Sequence, residues 1–142
     1  LSSLVWGGFG PWSAFQMLAV GWVGAGAGLL PHRGPVVPPA KRWREVALLA
    51  GYGVIASYAF GLVMNLWFWP IALGPDTTLS LVDGGGLADN TVRWLVYSLG
   101  SSTLTWDTVR ALTTAVTLSL VGRPVLAALR RVYDRSATPK SI

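Results

Sequence analysis

A run of 24 residues without a charged side chain, from Val46 to Trp69, most constrains what this chain can fold into. About 20 apolar residues form a helix long enough to cross the roughly 30 Å of hydrocarbon in a bilayer. Pro70 follows the run and favours a helix end there. Only 12% of the residues are charged, compared with about 25% in soluble domains. The run therefore predicts a transmembrane helix over about 46–69.

Two further segments are predicted to cross the membrane. The first covers about 12–30, has no charged residue and is closed by Pro31. The other belongs to a long apolar region that we divide near Gly100, because one span cannot hold it. This division predicts a short helix at the membrane surface over about 89–99 and a span over about 106–129, with Asp89 or Asn90 as the N-cap of the short helix.

The predicted fold class is all-α, a polytopic membrane bundle that forms one transmembrane domain over 1–142 with about three spans. The chain opens at Leu1 inside an apolar, Gly-rich stretch. We therefore expect this sequence to be a fragment of a larger bundle.

The positions of the basic residues predict the topology. Of the 11 Lys and Arg, four lie in the loop 32–44 and five lie at or beyond the end of the last span. The positive-inside rule places both regions in the cytoplasm and residues 71–88 outside, for a multi-pass protein of the plasma membrane. The formal charge of +5 is explained by this topology, so nucleic acid is not expected as a partner.

Arg110 and Asp107 are the sharpest candidates for a binding site. Arg110 lies about one turn inside the outer end of the predicted last span, where an unpaired charge is costly in lipid. Asp107 is three residues earlier on the same helix face, so a local ion pair that neutralises both is as good an interpretation as ligand binding. The two interpretations are compatible.

Other polar and aromatic side chains are predicted to lie at the same membrane depth as Arg110. An amide beside aromatic rings is able to bind and stack a flat heterocycle, although a belt of interfacial aromatics is the simpler interpretation. The candidates for substrate binding in this group are Gln16, Asn65, Trp67, Trp69, Asn90, Arg93 and Trp94.

Small residues recur at helical spacing in two of the predicted spans. Gly24 and Gly28 form a GxxxG pair in the first span, and Gly53, Ser57 and Gly61 follow each other at intervals of four in the second. Such residues let helices approach closely in lipid. Packing within one subunit is favoured over a face that binds another subunit.

Catalysis finds little support in the sequence. His32 is the single histidine and lies in the basic loop, far from Asp107, and the chain has no cysteine. Neither a His-based dyad nor a metal cluster can be built from these residues, and the Gly84-Gly85-Gly86 run lacks the Lys and Ser/Thr of a phosphate loop. No enzyme activity, metal or cofactor is expected.

Four stretches of the chain resemble the substrate-binding S components of energy-coupling factor (ECF) transporters, particularly those of actinobacteria. They are GGFGPWSAFQMLAVGWVGAGAGLLP (7–31), EVALLAGYGVIASYAFGLVMNLWFWP (45–70), LADN (87–90) and SSTLTWDTVRALTTAVTLSLVGRPVLAALRR (101–131). The resemblance implies a six-helix fold that takes up a vitamin or related micronutrient. It also implies a transmembrane coupling subunit and two ABC-type ATPases as partners.

The alternative function is a structural membrane subunit of a larger complex without a ligand of its own. In that case the glycines of the first two spans serve helix association, and the outer polar groups pair only with each other.

The topology is testable without knowledge of the function. We expect a cysteine introduced at Thr78 to react with a membrane-impermeant maleimide in intact cells. A cysteine at Val37 is expected to react only after the cells are opened, because the positive-inside rule places it in the cytoplasm. The reverse labelling pattern would overturn the topology.

Overall fold

The computed structural model describes residues 10–31, 39–74 and 77–137, and all the regular secondary structure in these ranges is helical. No β-strand lies in these ranges, so the all-α class is confirmed for them. In chain order the elements are α1 (Pro11–Gly28), α2 (Pro39–Ala72), α3 (Leu87–Ser98), a π-helix (Leu99–Asp107) and α4 (Thr108–Ala137).

Two helical stretches in the described ranges are long and apolar enough to cross a membrane. They are Trp43–Ala72, with 30 residues, and Leu87–Val132, with 46 residues, which joins α3, the π-helix and most of α4. The 18 residues of α1 are not among these stretches. The bundle of about three transmembrane helices therefore stays a prediction.

Helix α2 begins earlier than the sequence predicted. Residues 39–44, assigned to the basic loop, already form the first turns of α2 from Pro39 onward. A proline is tolerated in the first turn of a helix, where its missing N–H has no intrahelical partner to lose. At the other end Pro70 lies inside the last turn of α2, and the helix ends two residues later at Ala72.

The predicted break near Gly100 is wrong, because the chain stays helical from Leu87 to Ala137. The nine residues Leu99–Asp107 form a wider π-helix instead of a turn. The predicted N-cap is also wrong: α3 begins at Leu87 after Gly86, and Asn90 lies inside its first turn. The segment 99–107 contains no proline that would force a helix end, so the glycine and serines are accommodated within the helix.

α4 packs antiparallel on α2 through small residues. Gly53 faces Thr114 and Leu118, and Gly61 faces Asp107. Further along the same seam, Gly122 of α4 faces Val46, which is only 2% exposed. The predicted small-residue face of α2 is thus a packing surface within this chain.

The glycine face of α1, formed by Gly21, Gly24 and Gly28, is not packed like the small-residue face of α2. A Cβ atom added at Gly21, Gly24 or Gly28 would meet no atom within 4 Å in the described part of the protein. The opposite side of α1 packs on α2, where the Tyr52 hydroxyl donates a hydrogen bond to the carbonyl of Val23. The GxxxG pair therefore does not take part in the α1–α2 contact.

The beginning of α2 and the end of α4 meet at one end of the helix pair. Arg130 of α4 forms an ion pair with Glu45 of α2. Arg123 lies over the ring of Trp43, with its guanidinium carbon 5.1 Å from the ring centre. The arginines at the end of α4 and the basic start of α2 are thus on the same side of the pair.

Some sequence predictions concern residues outside the described ranges. They are the proposed end of an earlier helix before Gly10, the first part of the basic loop at 32–38, which includes His32, Asp76 in the outer loop, and the last residues 138–142.

Gly53 and Gly51 offer a matched test of the α2–α4 seam. Gly53→Leu is expected to lower the free energy of unfolding by about 1–3 kcal/mol, because a Cβ there would lie 2.7 Å from Cγ2 of Thr114. Gly51→Leu should not destabilise the protein, since nothing lies within 4 Å of its position. Thermal unfolding of both variants in detergent checks this, and equal stability would contradict the seam.

Candidate functional site

A chain of polar side chains links α2 to the π-helix and to α4. The Asn65 amide donates to the Ser102 hydroxyl, with 2.7 Å between Nδ2 and Oγ. Ser102 in turn donates to Oδ2 of Asp107 at 3.2 Å. Nη1 of Arg110 lies 2.8 Å from Oδ1 of the same carboxylate, so the predicted ion pair is present. Asp107 is thereby bonded on both oxygens although it is only 1% exposed.

The π-helix makes the contact between Ser102 and Asp107 possible. Residues five apart lie on one face of a π-helix, whereas in an α-helix residues three or four apart do. The same spacing recurs one residue further on, where the Thr108 hydroxyl donates to the carbonyl of Thr103 at 2.9 Å. Ser102 therefore reaches the carboxylate only because this segment is widened.

Gly61 provides the space that the Asp107 carboxylate occupies. A Cβ atom at position 61 would lie 2.0 Å from Oδ2 and 2.2 Å from Oδ1 of Asp107. Real Cβ atoms do not approach other atoms so closely, so any other residue at 61 would displace the carboxylate. Only position 107 lies against Gly61. Exchanging Asp107 and Arg110 would therefore move the carboxylate out of this space, so the two residues are not interchangeable.

Arg110 is much more exposed than the carboxylate that it pairs with. Its side chain is 42% exposed, its Nη1 also donates to the carbonyl of Ser57 at 3.4 Å, and its guanidinium lies 4.9 Å from the ring centre of Phe60. Ser57 is near the middle of the stretch Trp43–Ala72. The ion pair therefore lies much deeper along α2 than the predicted depth of one turn from the outer end.

A cavity of about 320 Å³ lies on α2 between α1 and α4. Most of its wall is apolar, and Arg110 supplies its one charged group. The lining residues are Val20, Val23, Tyr52, Gly53, Ala56, Ser57, Phe60, Arg110 and Thr114. A smaller cavity of about 170 Å³ adjoins it between α1 and α2 and shares Val23, Tyr52, Ala56 and Phe60.

Three of the predicted binding residues hold a loop instead of lining this cavity. Nε1 of Trp69 donates to the carbonyl of Leu79 at 2.7 Å, and Arg93 donates to the carbonyl of Thr78. Asn90 both accepts from the backbone N–H of Val82 and donates to its carbonyl, at 3.1 and 3.0 Å. These side chains hold residues 78–82 by hydrogen bonds between the end of α2 and the beginning of α3.

A tight turn completes that loop. The N–H of Gly85 donates to the carbonyl of Val82 at 3.0 Å, and Gly84 between them has a φ of 73°. This geometry is that of a turn with a left-handed residue at its third position, which favours glycine. The triple-glycine run thus serves the turn before α3.

The remaining predicted site residues are dispersed. Gln16 is exposed on α1, and Trp67 stacks on Phe15 of α1 with 4.6 Å between ring centres. Nε1 of Trp94 is buried and has no hydrogen-bond partner among the described residues. Arg110 is thus the predicted binding residue that lines the cavity, with Asp107 directly behind it.

Sequence reasoning missed the roles of Ser102, Gly61 and Phe60. The sequence predicts a helix break at Ser102, and the position of this residue five before Asp107 fits no α-helical spacing. Gly61 was singled out for packing but not for the carboxylate that it accommodates. Phe60 is one of many apolar residues in its span, so the sequence carries no signal that selects it.

The charged residues of the described part do not form a metal site. No group of three or more His, Asp or Glu in these ranges lies close enough together to hold a metal ion. What the cavity offers instead is apolar contact area, the hydrogen-bond donors of one guanidinium and the hydroxyl of Thr114.

Comparison with protein-family profiles, curated proteins and solved structures gives no match. The resemblance to ECF S components therefore stays a prediction.

Gly61→Ala tests the space beside Asp107. The added methyl group must displace the carboxylate, so we expect the free energy of unfolding to fall by about 1–3 kcal/mol. Gly51→Ala, with open space around it, serves as the control. In an Asp107→Ala background the cost of Gly61→Ala should largely disappear. An equal cost in both backgrounds, measured by thermal or denaturant unfolding, would refute the contact.

Proposed function

We propose that this protein is the membrane-embedded substrate-binding subunit of an ECF-type ABC transporter that takes up a vitamin or related micronutrient. The observation that carries the proposal is the apolar cavity of about 320 Å³ with the Arg110 guanidinium on its wall. Pockets of about 300–1,000 Å³ with an apolar lining and few polar groups are typical of small-molecule sites. The resemblance of the four sequence stretches supports the transporter class.

The proposed placement is a multi-pass arrangement in the plasma membrane, with α1, α2 and the part of the stretch Leu87–Val132 that packs on α2 as spans. The two apolar stretches support a membrane location by their length and composition. The basic start of α2 and the arginine-rich end of α4 lie at the same end of the pair, as Arg130 and Glu45 indicate. In this arrangement that end, with residues 32–44 and the C-terminus, faces the cytoplasm.

In this arrangement the position of Arg110 favours a binding role. A charged side chain at the centre of a membrane helix costs about 2.5–3.5 kcal/mol on insertion scales, so it persists where it is paired or faces a cavity. Arg110 meets both conditions, through Asp107 and through the cavity that it lines. Its side chain is 42% exposed in the described structure, so it is accessible to a molecule in the cavity.

In this proposal, uptake requires several protein subunits. The cavity holds the substrate, the loop held by Trp69, Asn90 and Arg93 covers the outer end of the helices, and a transmembrane coupling subunit moves against the bundle. Two ABC-type ATPases supply the energy. This chain carries out no chemical step on the substrate.

A second candidate function is a structural membrane subunit without its own ligand. The observation that favours it is the open glycine face of α1, where Gly21, Gly24 and Gly28 have no neighbour within 4 Å in the described part. Small residues at this spacing allow another helix to approach closely in lipid. Ligand binding separates the two functions, since only the first requires the cavity to be occupied.

The proposal predicts that the full-length protein, purified in nanodiscs from native membranes, retains a small molecule detectable by native mass spectrometry. Arg110→Leu should lose at least nine-tenths of it. Arg123→Leu is the matched control, because Arg123 is also on α4 and also lies over an aromatic ring, but outside the cavity. An empty wild-type protein, together with failure to bind any compound of a vitamin panel, would favour the structural function.

A further inference from the structure

The guanidinium of Arg110 has donors left over after its contacts with the protein. An arginine carries five N–H donors in a fixed fork. Nη1 serves Oδ1 of Asp107 and the carbonyl of Ser57. Among the described residues, no acceptor is bonded to Nε or Nη2. Because the side chain lines the cavity, these donors are available to a molecule inside it.

The charge of that guanidinium is already balanced. The Asp107 carboxylate lies 2.8 Å from Nη1, is only 1% exposed and is held from the other side by Ser102. Arg110 and Asp107 together are therefore neutral. An anionic ligand would add a buried negative charge without a partner of its own, and removing such a charge from water is costly. A carbonyl oxygen accepts the same hydrogen bonds without changing the net charge.

The walls around the guanidinium determine the shape of the ligand. The ring of Phe60 lies 4.9 Å from the guanidinium carbon, and Val20, Val23 and Ala56 add apolar surface. The hydroxyls of Tyr52 and Ser57 are bonded to the backbone carbonyls of Val23 and Gly53. Thr114 adds one further hydroxyl to the lining. Arg110 therefore supplies most of the available hydrogen-bond donors, and the rest of the cavity fits an apolar, ring-like body.

We infer that the cavity selects an uncharged, flat molecule whose carbonyl group accepts hydrogen bonds from Arg110, and that it discriminates against the carboxylate of the same shape. This inference rests on the proposed function and adds the chemical class of its substrate. The discrimination arises from Asp107, which neutralises Arg110 before any ligand arrives.

Matched amide and acid pairs test the inference. The probes are nicotinamide against nicotinate and quinoline-3-carboxamide against quinoline-3-carboxylate, at pH 7.4, where both acids are ionised. Binding to the full-length protein in phosphatidylcholine nanodiscs is followed by saturation-transfer NMR. We expect at least one amide to bind at least about tenfold more tightly than its acid, and Arg110→Leu to abolish the difference. Arg123→Leu should leave it unchanged.

Asp107→Asn provides the converse test. The amide keeps the shape of Asp107 and an oxygen for Arg110, but it removes the negative charge. The guanidinium is then unbalanced, so the preference should shift toward the acid by at least about tenfold. The wild-type comparison remains decisive if this variant proves too unstable to purify.

The outcomes separate the inference from the proposed function. A wild-type protein that binds the acids more tightly, or that retains an anionic molecule from native membranes, overturns the substrate class and leaves the binding function standing. Failure of every amide and acid to bind overturns the inference. Only an empty native preparation together with an empty vitamin panel overturns the proposed function as well.

Discussion

The buried carboxylate of Asp107 is the constraint on which the rest of the described structure depends. It lies against Gly61 of α2, is bonded by Ser102 and Arg110, and is almost completely removed from solvent. A buried charge is tolerated only where its partners are in place, so the register between α2 and α4 is restricted at this point. The contacts of Gly53 with Thr114 and of Val46 with Gly122 continue the same register along the seam.

The π-helix is the backbone feature that satisfies this carboxylate. Nine residues with wider turns bring Ser102 to Asp107 without interrupting the helix that joins α3 to α4. Short π-helical segments are rare and frequently accompany functional sites. Here the segment lies between the loop at residues 78–82 and the cavity. Its N-terminal side leads to the loop held by Asn90 and Arg93, and its C-terminal side presents Arg110 to the cavity.

The side chain of Arg110 gives the cavity its chemical character. An apolar cavity between helices would by itself discriminate only by size, whereas one guanidinium adds directional hydrogen bonds. Because Asp107 cancels its charge, Arg110 acts as a polar donor and not as a free cation. The position of α1 completes the wall through Val20 and Val23 and leaves its glycine face pointing away from α2. The cavity wall and the glycine face therefore lie on different sides of the same helix.

The sequence by itself determined the all-α class and the apolar character of the stretch around 46–69, because composition and local helical spacing are properties of neighbouring residues. It also indicated the pairing of Asp107 with Arg110 as one of two compatible interpretations. Only the tertiary structure decided that Gly61 accommodates the carboxylate, that Ser102 reaches it and that Arg110 lies at mid-length of α2. These facts depend on how two segments about 50 residues apart in sequence pack together, and no local pattern encodes that register. The π-helix was missed for the same reason: its widened spacing satisfies a carboxylate whose niche is formed by another helix.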